Sequence, residues 1–430
     1  MERLRGFRDI YPEEMMKREK IFRNAENMSF RFGYEKIDFP SLESMDLYRL
    51  KSGEELVGQT FSFRDRGGRE VTLIPEATPS VVRMLTSRKE IPRPVRWYSF
   101  GKYWRYEEPQ SGRLREFYQY NADLFGVDSP EADAEIIGLA ASILDSYGFV
   151  GEYMIRINSR KIMNALISRT GFADPLQIMN IIDRSSKIGQ ENAVESMVQA
   201  GMGRKDAEKI MEAVLSAKNT DDLISVFRDD KETIAEIDRL RRTIDLVRSY
   251  TSAEIRFDMA IVRGLAYYTG IVFEAFDMKG DLRAILGGGR YDSLSELLSG
   301  IRMPAVGFGM GDVVVELLLR RTGKWNEKYS VISVFVCNPS GEFSAEASKI
   351  ASRLRMMNIR VISDVSGRSL SSQLKAADRS GATFSIITGR RELEEQSITI
   401  RNMKSGNQYS VGLNELEKWF SEKLVSGTGS

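Results

Sequence analysis

Residues 104–125 read WRYEEPQSGRLREFYQYNADLF, and the fold turns on this stretch. Phe117 to Phe125 alternates aromatic and aliphatic residues with polar ones, the period of two expected of a strand with unlike faces. Trp97 to Trp104 alternates in the same way just upstream. Between the two runs, Glu107 to Arg115 holds Pro109, Ser111 and Gly112 amid charged residues. The pattern predicts an antiparallel hairpin with a long polar loop. A hairpin that only reverses the chain has no need to gather Arg105, Arg113 and Arg115 around acidic side chains. One reading is a solvated charged loop. The other is a set of guanidinium forks around phosphate, with polar side chains of the strands lining a pocket. Gln119 and Asp123, four residues apart, face the same side of their strand.

The 430-residue length allows roughly two or three domains with sizeable cores. Hydrophobic residues at 42% and charged residues at 29% are ordinary for a soluble globular protein. Basic and acidic residues balance, 62 against 61, so contact with nucleic acid has to come from local patches rather than net charge. Cys337 is the only cysteine, which excludes an intramolecular disulfide and a cysteine metal cluster. Its setting, VISVFVC, predicts a buried strand thiol. Histidine is absent altogether. Imidazole is thereby removed from every mechanism, whether as partner of a nucleophile, zinc ligand or general base. Any chemistry must run on carboxylates, arginines, tyrosines and groups that the substrates bring. No apolar run approaches the ~18 to 20 residues that a membrane-crossing helix needs, and a cytoplasmic location is expected.

Along the chain, Met15 to Phe32 places Ile21, Phe22, Ala25 and Met28 near helical spacing, with Gly33 where a C-cap glycine belongs. Tyr34 to Pro40 then reads as a strand, and Gln59 to Phe63 with Glu70 to Leu73 as a hairpin. Ile74 to Pro79 ends a strand and delivers Glu76, Ala77 and Thr78 at what is also a plausible helix start. Pro130 to Leu144 reads as a helix, Glu152 to Ile157 as a strand, and Arg160 to about Tyr250 as a helical insertion. Phe257 to Phe276 is strand-like and predicts a hairpin joined near Tyr267 to Gly270. Ile285 to Asp292, ILGGGRYD, reads as a glycine turn carrying Arg290, and it fits neither a P-loop nor a dinucleotide-binding glycine motif. Ala305 to Leu319 reads as a glycine-rich strand entering an apolar helix. After a polar linker near residues 320–328, strands at Val331–Val336, Arg360–Ser363 and Phe384–Thr388 alternate with helices at Ala345–Met357, Ser369–Ser380 and Leu413–Leu424. That alternation predicts a compact α/β domain.

The spacing Arg105-x-Glu107-x-Pro109-x-x-Gly112-Arg113, followed by Arg115-Glu116-Phe117-Tyr118-Gln119, resembles the second signature motif of class II aminoacyl-tRNA synthetases, in the form seen in histidyl-tRNA synthetases. VRGLAYYTG at 262–270 and ILGGGRYD at 285–292 resemble the motifs particular to that family, with Ala266 where bacterial members usually carry Asp. The early helix and strand up to Pro40 resemble the first class II motif, and Ala305 to Leu319 the third. The third departs from the pattern: Asp312-Val313-Val314-Val315 stands where most class II enzymes carry an arginine that stacks on ATP. Either Arg290 or another cation takes that role, or ATP is held less firmly.

The resemblance covers nearly the whole chain. It implies an α+β fold: a class II antiparallel-sheet catalytic domain over 1–325, with a tRNA-contacting helical insertion at about 160–250, followed by an α/β anticodon-binding domain over 326–430. It implies ATP-dependent activation of L-histidine and transfer to tRNA(His) by a homodimer. Arg105 and Arg263 are implied as catalytic. Glu76, Ala77, Thr78, Arg105, Gln119, Asp123, Arg263, Tyr267 and Tyr268 are implied around histidine. Arg105, Glu107, Arg113, Phe117 and Arg290 are implied around ATP. Mg²⁺ is expected on the pyrophosphate portion, with no protein ligand assigned to it. The alternative, from another class, is a non-catalytic paralogue acting as a regulatory or tRNA-sensing module. The altered 312–315 segment favours that alternative, whereas Arg263 and the extra C-terminal domain weigh against it.

Overall fold

The computed structural model describes residues 2–49, 53–88, 91–264, 266–326, 333–339 and 342–427. It divides into two compact units, residues 1–326 and 327–430.

The first unit begins with the helix Pro12–Arg31 and the short strand β1 (Glu35–Lys36). Gly33, at φ +77°, lets the chain turn out of the helix, a left-handed position that glycine adopts without steric cost. Three strands, β2 (Leu42–Ser44), β3 (Phe61–Arg64) and β4 (Glu70–Leu73), pair in a small sheet of order β2-β4-β3. The central sheet adds β5 (Val95–Trp104), β6 (Glu116–Phe125), β7 (Tyr153–Ser159), β8 (Glu254–Phe257), β9 (Ile271–Asp277), β10 (Leu286–Arg290) and β11 (Ala305–Gly311). Its eight strands run in the order β1-β5-β6-β11-β10-β9-β7-β8. The hairpin foreseen around residues 104–125 is β5 and β6, paired antiparallel from Val95 opposite Phe125 to Trp104 opposite Glu116.

The alternation along β6 now has two destinations. Tyr120, Ala122 and Leu124 pack into the core with Ile21, Phe22 and Ala25 of the first helix and Ile136, Ile137 and Ala140 of the helix Pro130–Ser146. Phe117 and Phe125 face the other core, with Val81, Val82 and Leu85 of the helix Thr78–Ser87 and with Tyr267, Tyr268 and Tyr291. Gln119 and Asp123 share that second face. Five helices between Arg160 and Val247, joined to the same core through Ile162, Ile178, Ile182 and Leu240, form the segment between β7 and β8.

Two sequence expectations are corrected here. Phe257 to Phe276 is not a hairpin, because β7 lies between β8 and β9, parallel to the first and antiparallel to the second. Residues 258–264 and 266–270 instead are irregular, with the Met259 and Ile261 carbonyls accepting from the Asn158 side-chain amide at 3.1 Å each. The aromatic alternation there records packing, not a strand. Likewise ILGGGRYD is not a turn: its glycines form β10, fully buried between β9 and β11. A Cβ on Gly289 would stand 2.6 Å from the Ile271 carbonyl and 2.9 Å from Tyr268, so the sheet accepts only glycine there.

Asp312 opens the helix Asp312–Arg321 and is buried. It pairs with Arg8 at 2.9 Å and with Arg18, and accepts from the Tyr118 backbone N–H at 3.1 Å, while Glu316 also receives Arg18. Burial pushes its carboxyl up, against the pull of both arginines. The first residue of the altered segment thus ties the N-terminal segment to the sheet.

The second unit holds β12 (Ser333–Cys337), β13 (Arg360–Ser363), β14 (Phe384–Ile387), β15 (Ser397–Asn402) and β16 (Gln408–Gly412), in the order β13-β12-β14-β15-β16. The first three are mutually parallel and the last two antiparallel, covered by helices at Ser344–Met356, Leu370–Arg379 and Leu416–Gly427. Cys337 is buried in β12, where desolvation pushes its thiol up to about 12. Val331 and residues 327–328, foreseen as strand start and linker end, lie outside the described residues.

Candidate active site

The loop between β5 and β6 closes on a tight turn, Gln110 to Arg113, with reciprocal backbone hydrogen bonds of 2.9 and 3.0 Å and Gly112 at φ +78°. Arg115 does not enter the cleft. Its Nε donates to the Glu107 carbonyl at 3.0 Å, its guanidinium lies 4.2 Å over the Tyr106 ring, and its backbone N–H is held by the Gly6 carbonyl. That anchoring leaves Arg105 and Arg113 to face inward.

A cleft of about 670 Å³ opens on the second face of the sheet, lined among others by Arg105, Glu107, Arg113, Phe117, Gln119, Arg263, Glu274 and Arg283. The volume suits a nucleotide-sized ligand. Arg105 donates from Nε to the Pro75 carbonyl at 3.0 Å and lies 5.6 Å over the Phe117 ring. Glu107 and Arg113 form an ion pair at the mouth. Arg263 sits at φ +53°, a left-handed conformation that a non-glycine residue holds only when its surroundings impose it. Its guanidinium is 3.4 Å from Glu274 and 5.4 Å over Tyr268. Burial disfavours its charge, yet Tyr268 and Glu274 hold its pKa above the ordinary value. Glu274, desolvated in turn, is pushed up despite Arg263.

Behind Arg263 the site is closed and tyrosine-rich. Tyr267 donates to Glu76 Oε2 at 2.8 Å, and its ring is 5.0 Å from Tyr268 and 5.8 Å from Tyr291. Tyr291 donates to the Asp123 carboxylate. Burial pushes Asp123 up to about 7, a rise that the Tyr291 hydrogen bond partly offsets. Desolvation also raises Tyr267, Tyr268 and Tyr291, so all three stay protonated and able to donate. Gln119 Nε2 reaches Asn121 Oδ1 at 2.5 Å, and Asn121 donates to Tyr103 at 3.0 Å. The room for these side chains comes from β11: a Cβ on Gly309 would stand 2.7 Å from Gln119 Nε2, and one on Gly307 would overlap Asp123. Ala77 and Thr78 start the helix Thr78–Ser87 beside this pocket, and Thr78 faces the Tyr267 hydroxyl.

The structure therefore brings together, in and behind one cleft, Arg105, Glu107, Arg113, Phe117, Gln119 and Arg263 with Glu76, Thr78, Asp123, Tyr267 and Tyr268. Arg290 is the correction. It is 1% exposed and donates to Asp133 at 2.8 Å, to Asp292 at 3.0 Å and to the Val127 carbonyl at 3.1 Å. So buried, and outside the cleft lining, the guanidinium is not placed to meet a nucleotide there; it holds β10 to the helix Pro130–Ser146. Sequence reasoning missed Tyr291, Asn121, Glu274 and Arg283. Tyr291 follows Arg290 in the same motif and could have been found there; the other three carry no local signal.

The family model for histidyl-tRNA synthetases matches residues 6–312, and that for anticodon-binding domains matches residues 333–423. The chain belongs to the histidyl-tRNA synthetase family. Within it, the chain is similar to the histidine–tRNA ligase of Thermoplasma volcanium, 49% identical over 99% of both chains. It is also similar to that of Picrophilus torridus, 46% identical over 96% of this chain and 98% of the relative. Among solved structures, the histidyl-tRNA synthetase of Nostoc sp. superposes with a TM-score of 0.80 at 23% identity, over 97% of this chain and 98% of that one. A Bacillus halodurans protein described as an ATP phosphoribosyltransferase regulatory subunit/histidyl-tRNA synthetase superposes with a TM-score of 0.74 at 21% identity, over 90% and 97%. These likenesses extend the histidyl-tRNA synthetase fold to both units of the chain.

Proposed function

We propose that the protein is a histidine–tRNA ligase, which joins L-histidine to ATP as histidyl-adenylate and then passes histidine to the 3′ end of tRNA(His). The observation that carries this reading is the continuity of an arginine-lined cleft with a buried pocket of tyrosines and carboxylates, in a chain that matches such ligases end to end. Adenylate formation suits a protein without histidine. The substrate carboxylate attacks the α-phosphorus and pyrophosphate leaves, so the protein supplies position and positive charge.

In this reading Arg105, held by the Pro75 carbonyl, bridges the histidine carboxylate and the α-phosphate, and Arg263 meets charge growing on that phosphate. Arg113 meets the terminal phosphates, Glu107 and Phe117 the adenosine. Glu76 and Thr78 take the α-ammonium, with Tyr267 already oriented on Glu76. Gln119, Asp123 and Tyr268 surround the imidazole. Among the described residues no group of three or more acidic or cysteine side chains stands at metal-binding spacing. Mg²⁺ belongs in this reading to the nucleotide's own phosphates. The second unit meets the anticodon, where unpaired bases stack and offer their edges. Two copies act together in the cytoplasm. The described residues contain no helix long and apolar enough to cross a membrane.

The non-catalytic alternative gives way. Arg263 is present and built into the cleft, and the full-length relatives are ligases by name. The test is amino-acid-dependent exchange of pyrophosphate into ATP, run with each amino acid in turn. Exchange with histidine alone is expected, and absence of exchange with every amino acid would overturn the proposal.

A further inference from the structure

Arg283 stands in the connection between β9 and β10 and lines the cleft. Its stem passes the tip of the β5–β6 loop: a Cβ placed on Gly112 would be 3.5 Å from Arg283 Cδ and equally 3.5 Å from Val314 Cγ2. The helix Asp312–Arg321 therefore presents only apolar side chains at this point, Val313 and Val314. The cleft's other arginines each have a fixed acceptor: Arg105 the Pro75 carbonyl, Arg113 Glu107, Arg156 Asp258 and Arg263 Glu274. Arg283 makes neither a hydrogen bond nor an ion pair among the described residues. Arg113 lines the same cleft. Partial burial lowers its pKa, the Arg113 charge lowers it further, and Glu107 only partly offsets the two. Two guanidiniums that line one cleft, each within electrostatic reach of the other and of Glu107, concentrate positive charge at this point.

We propose that Arg283 and Arg113 clamp the terminal phosphates of ATP, and the pyrophosphate released from it, from the two sides of the Gly112 turn. The clamp rests on the reading of this cleft as the ATP site. Gly112 has no side chain to stand between the two cations, and the β9–β10 connection supplies the charge that the helix after β11 lacks. A polyphosphate presents enough oxygens for both forks at once, which a single carboxylate or the nucleoside alone does not.

Arg283→Ala tests the clamp in histidine-dependent pyrophosphate exchange. The KM values for ATP and for pyrophosphate are expected to rise about 10- to 100-fold, the loss of a charge-assisted contact. The KM for histidine and inhibition by AMP stay at parental values, and Arg283→Lys recovers part of the loss because it keeps a point charge. Unchanged ATP and pyrophosphate constants overturn the clamp. So does a loss confined to AMP, which places the guanidinium over adenine, or a uniform rise that includes histidine, which marks a structural role. If the parent protein performs no exchange, the ligase reading fails separately. Calorimetric titration of inorganic pyrophosphate into parent and Arg283→Ala then decides the clamp by itself, equal affinities overturning it.

Discussion

The two ends of the cleft are built on opposite plans. At the open end, Arg105, Arg113 and Arg283 are partly exposed, and among the described residues the cations outnumber their acceptors. At the closed end, Glu76, Asp123, Tyr267 and Tyr291 are almost fully buried and already bonded to one another. The open end suits a ligand that brings its own negative charge. At the closed end the protein's polar groups satisfy each other until a ligand of matching polarity exchanges into the network. In the proposed function this division separates rate from selectivity. Fixed positive charge aimed at a developing phosphate charge lowers the barrier. Buried donors and acceptors penalise any amino acid that leaves them unpaired, and discrimination of about 10⁴ to 10⁵ is within reach of such a site without editing. Arg263 stands at the border, with one partner in each half, Glu274 and the Tyr268 ring.

The largest effect expected is therefore at that border. On the proposed role, Arg263→Ala removes a cation from the reacting phosphate and should lower the exchange rate on the order of 10³-fold. Far-ultraviolet dichroism stays close to parental, because the change leaves the pairing of β9 and β10 intact. An Arg263→Ala protein with parental exchange would sink the assigned role.

Asp123→Asn sharpens the contrast, since it moves stability and activity in opposite directions. Unfolded, the carboxyl ionises near its ordinary 3.8; folded, burial makes it keep its proton to about 7. The folded state thus binds more protons than the unfolded state between those values. Its stability falls as pH rises through that window and levels off above it. Asparagine carries no such penalty and can still accept from Tyr291. Asp123→Asn should melt close to the parent near pH 4 and a few degrees above it at pH 8, while kcat/KM for histidine drops about 10- to 100-fold for want of a charged acceptor. A melting difference that does not grow with pH would show that the buried carboxyl is not strained as inferred.

The legibility of the chain follows the same boundary. The β5–β6 hairpin could be read directly, because alternation with a period of two and a Pro-Ser-Gly loop are local signals. So could the two-sided role of β6, where even spacing alone puts Gln119 and Asp123 together. Arg283 could not: its significance lies in what it lacks, and a missing partner is visible only when residues far apart in sequence are placed side by side. Arg290 was misread for the converse reason. A conspicuous arginine in a glycine-rich motif looked available, whereas Asp133, 157 residues away, consumes it. The glycines of β10 misled because their local reading is a turn; what selects them is the close approach of β9, β11 and Arg263, which no local pattern encodes.

Those glycines offer the finest test of the division, and the smallest effect. A Cβ on Gly287 would overlap the far end of the Arg263 guanidinium and stand 3.1 Å from Glu274 Cγ, both of which belong to side chains that can move. A Cβ on Gly288 would overlap the Gly307 carbonyl and stand 2.6 Å from Phe308 Cβ and 2.8 Å from Phe273 Cζ, inside the packed core. Gly287→Ala should then fold normally and lose about 10-fold in exchange rate, as displacement of a reacting group predicts. Gly288→Ala should lose about 1 to 3 kcal/mol of stability through overpacking, with exchange per folded molecule little changed. Because the first effect acts through Arg263, adding Gly287→Ala to Arg263→Ala should cost nothing further, a non-additivity expected of residues in contact. Independent losses in the double variant would mean that Gly287 serves the ligand directly instead of making room for the arginine.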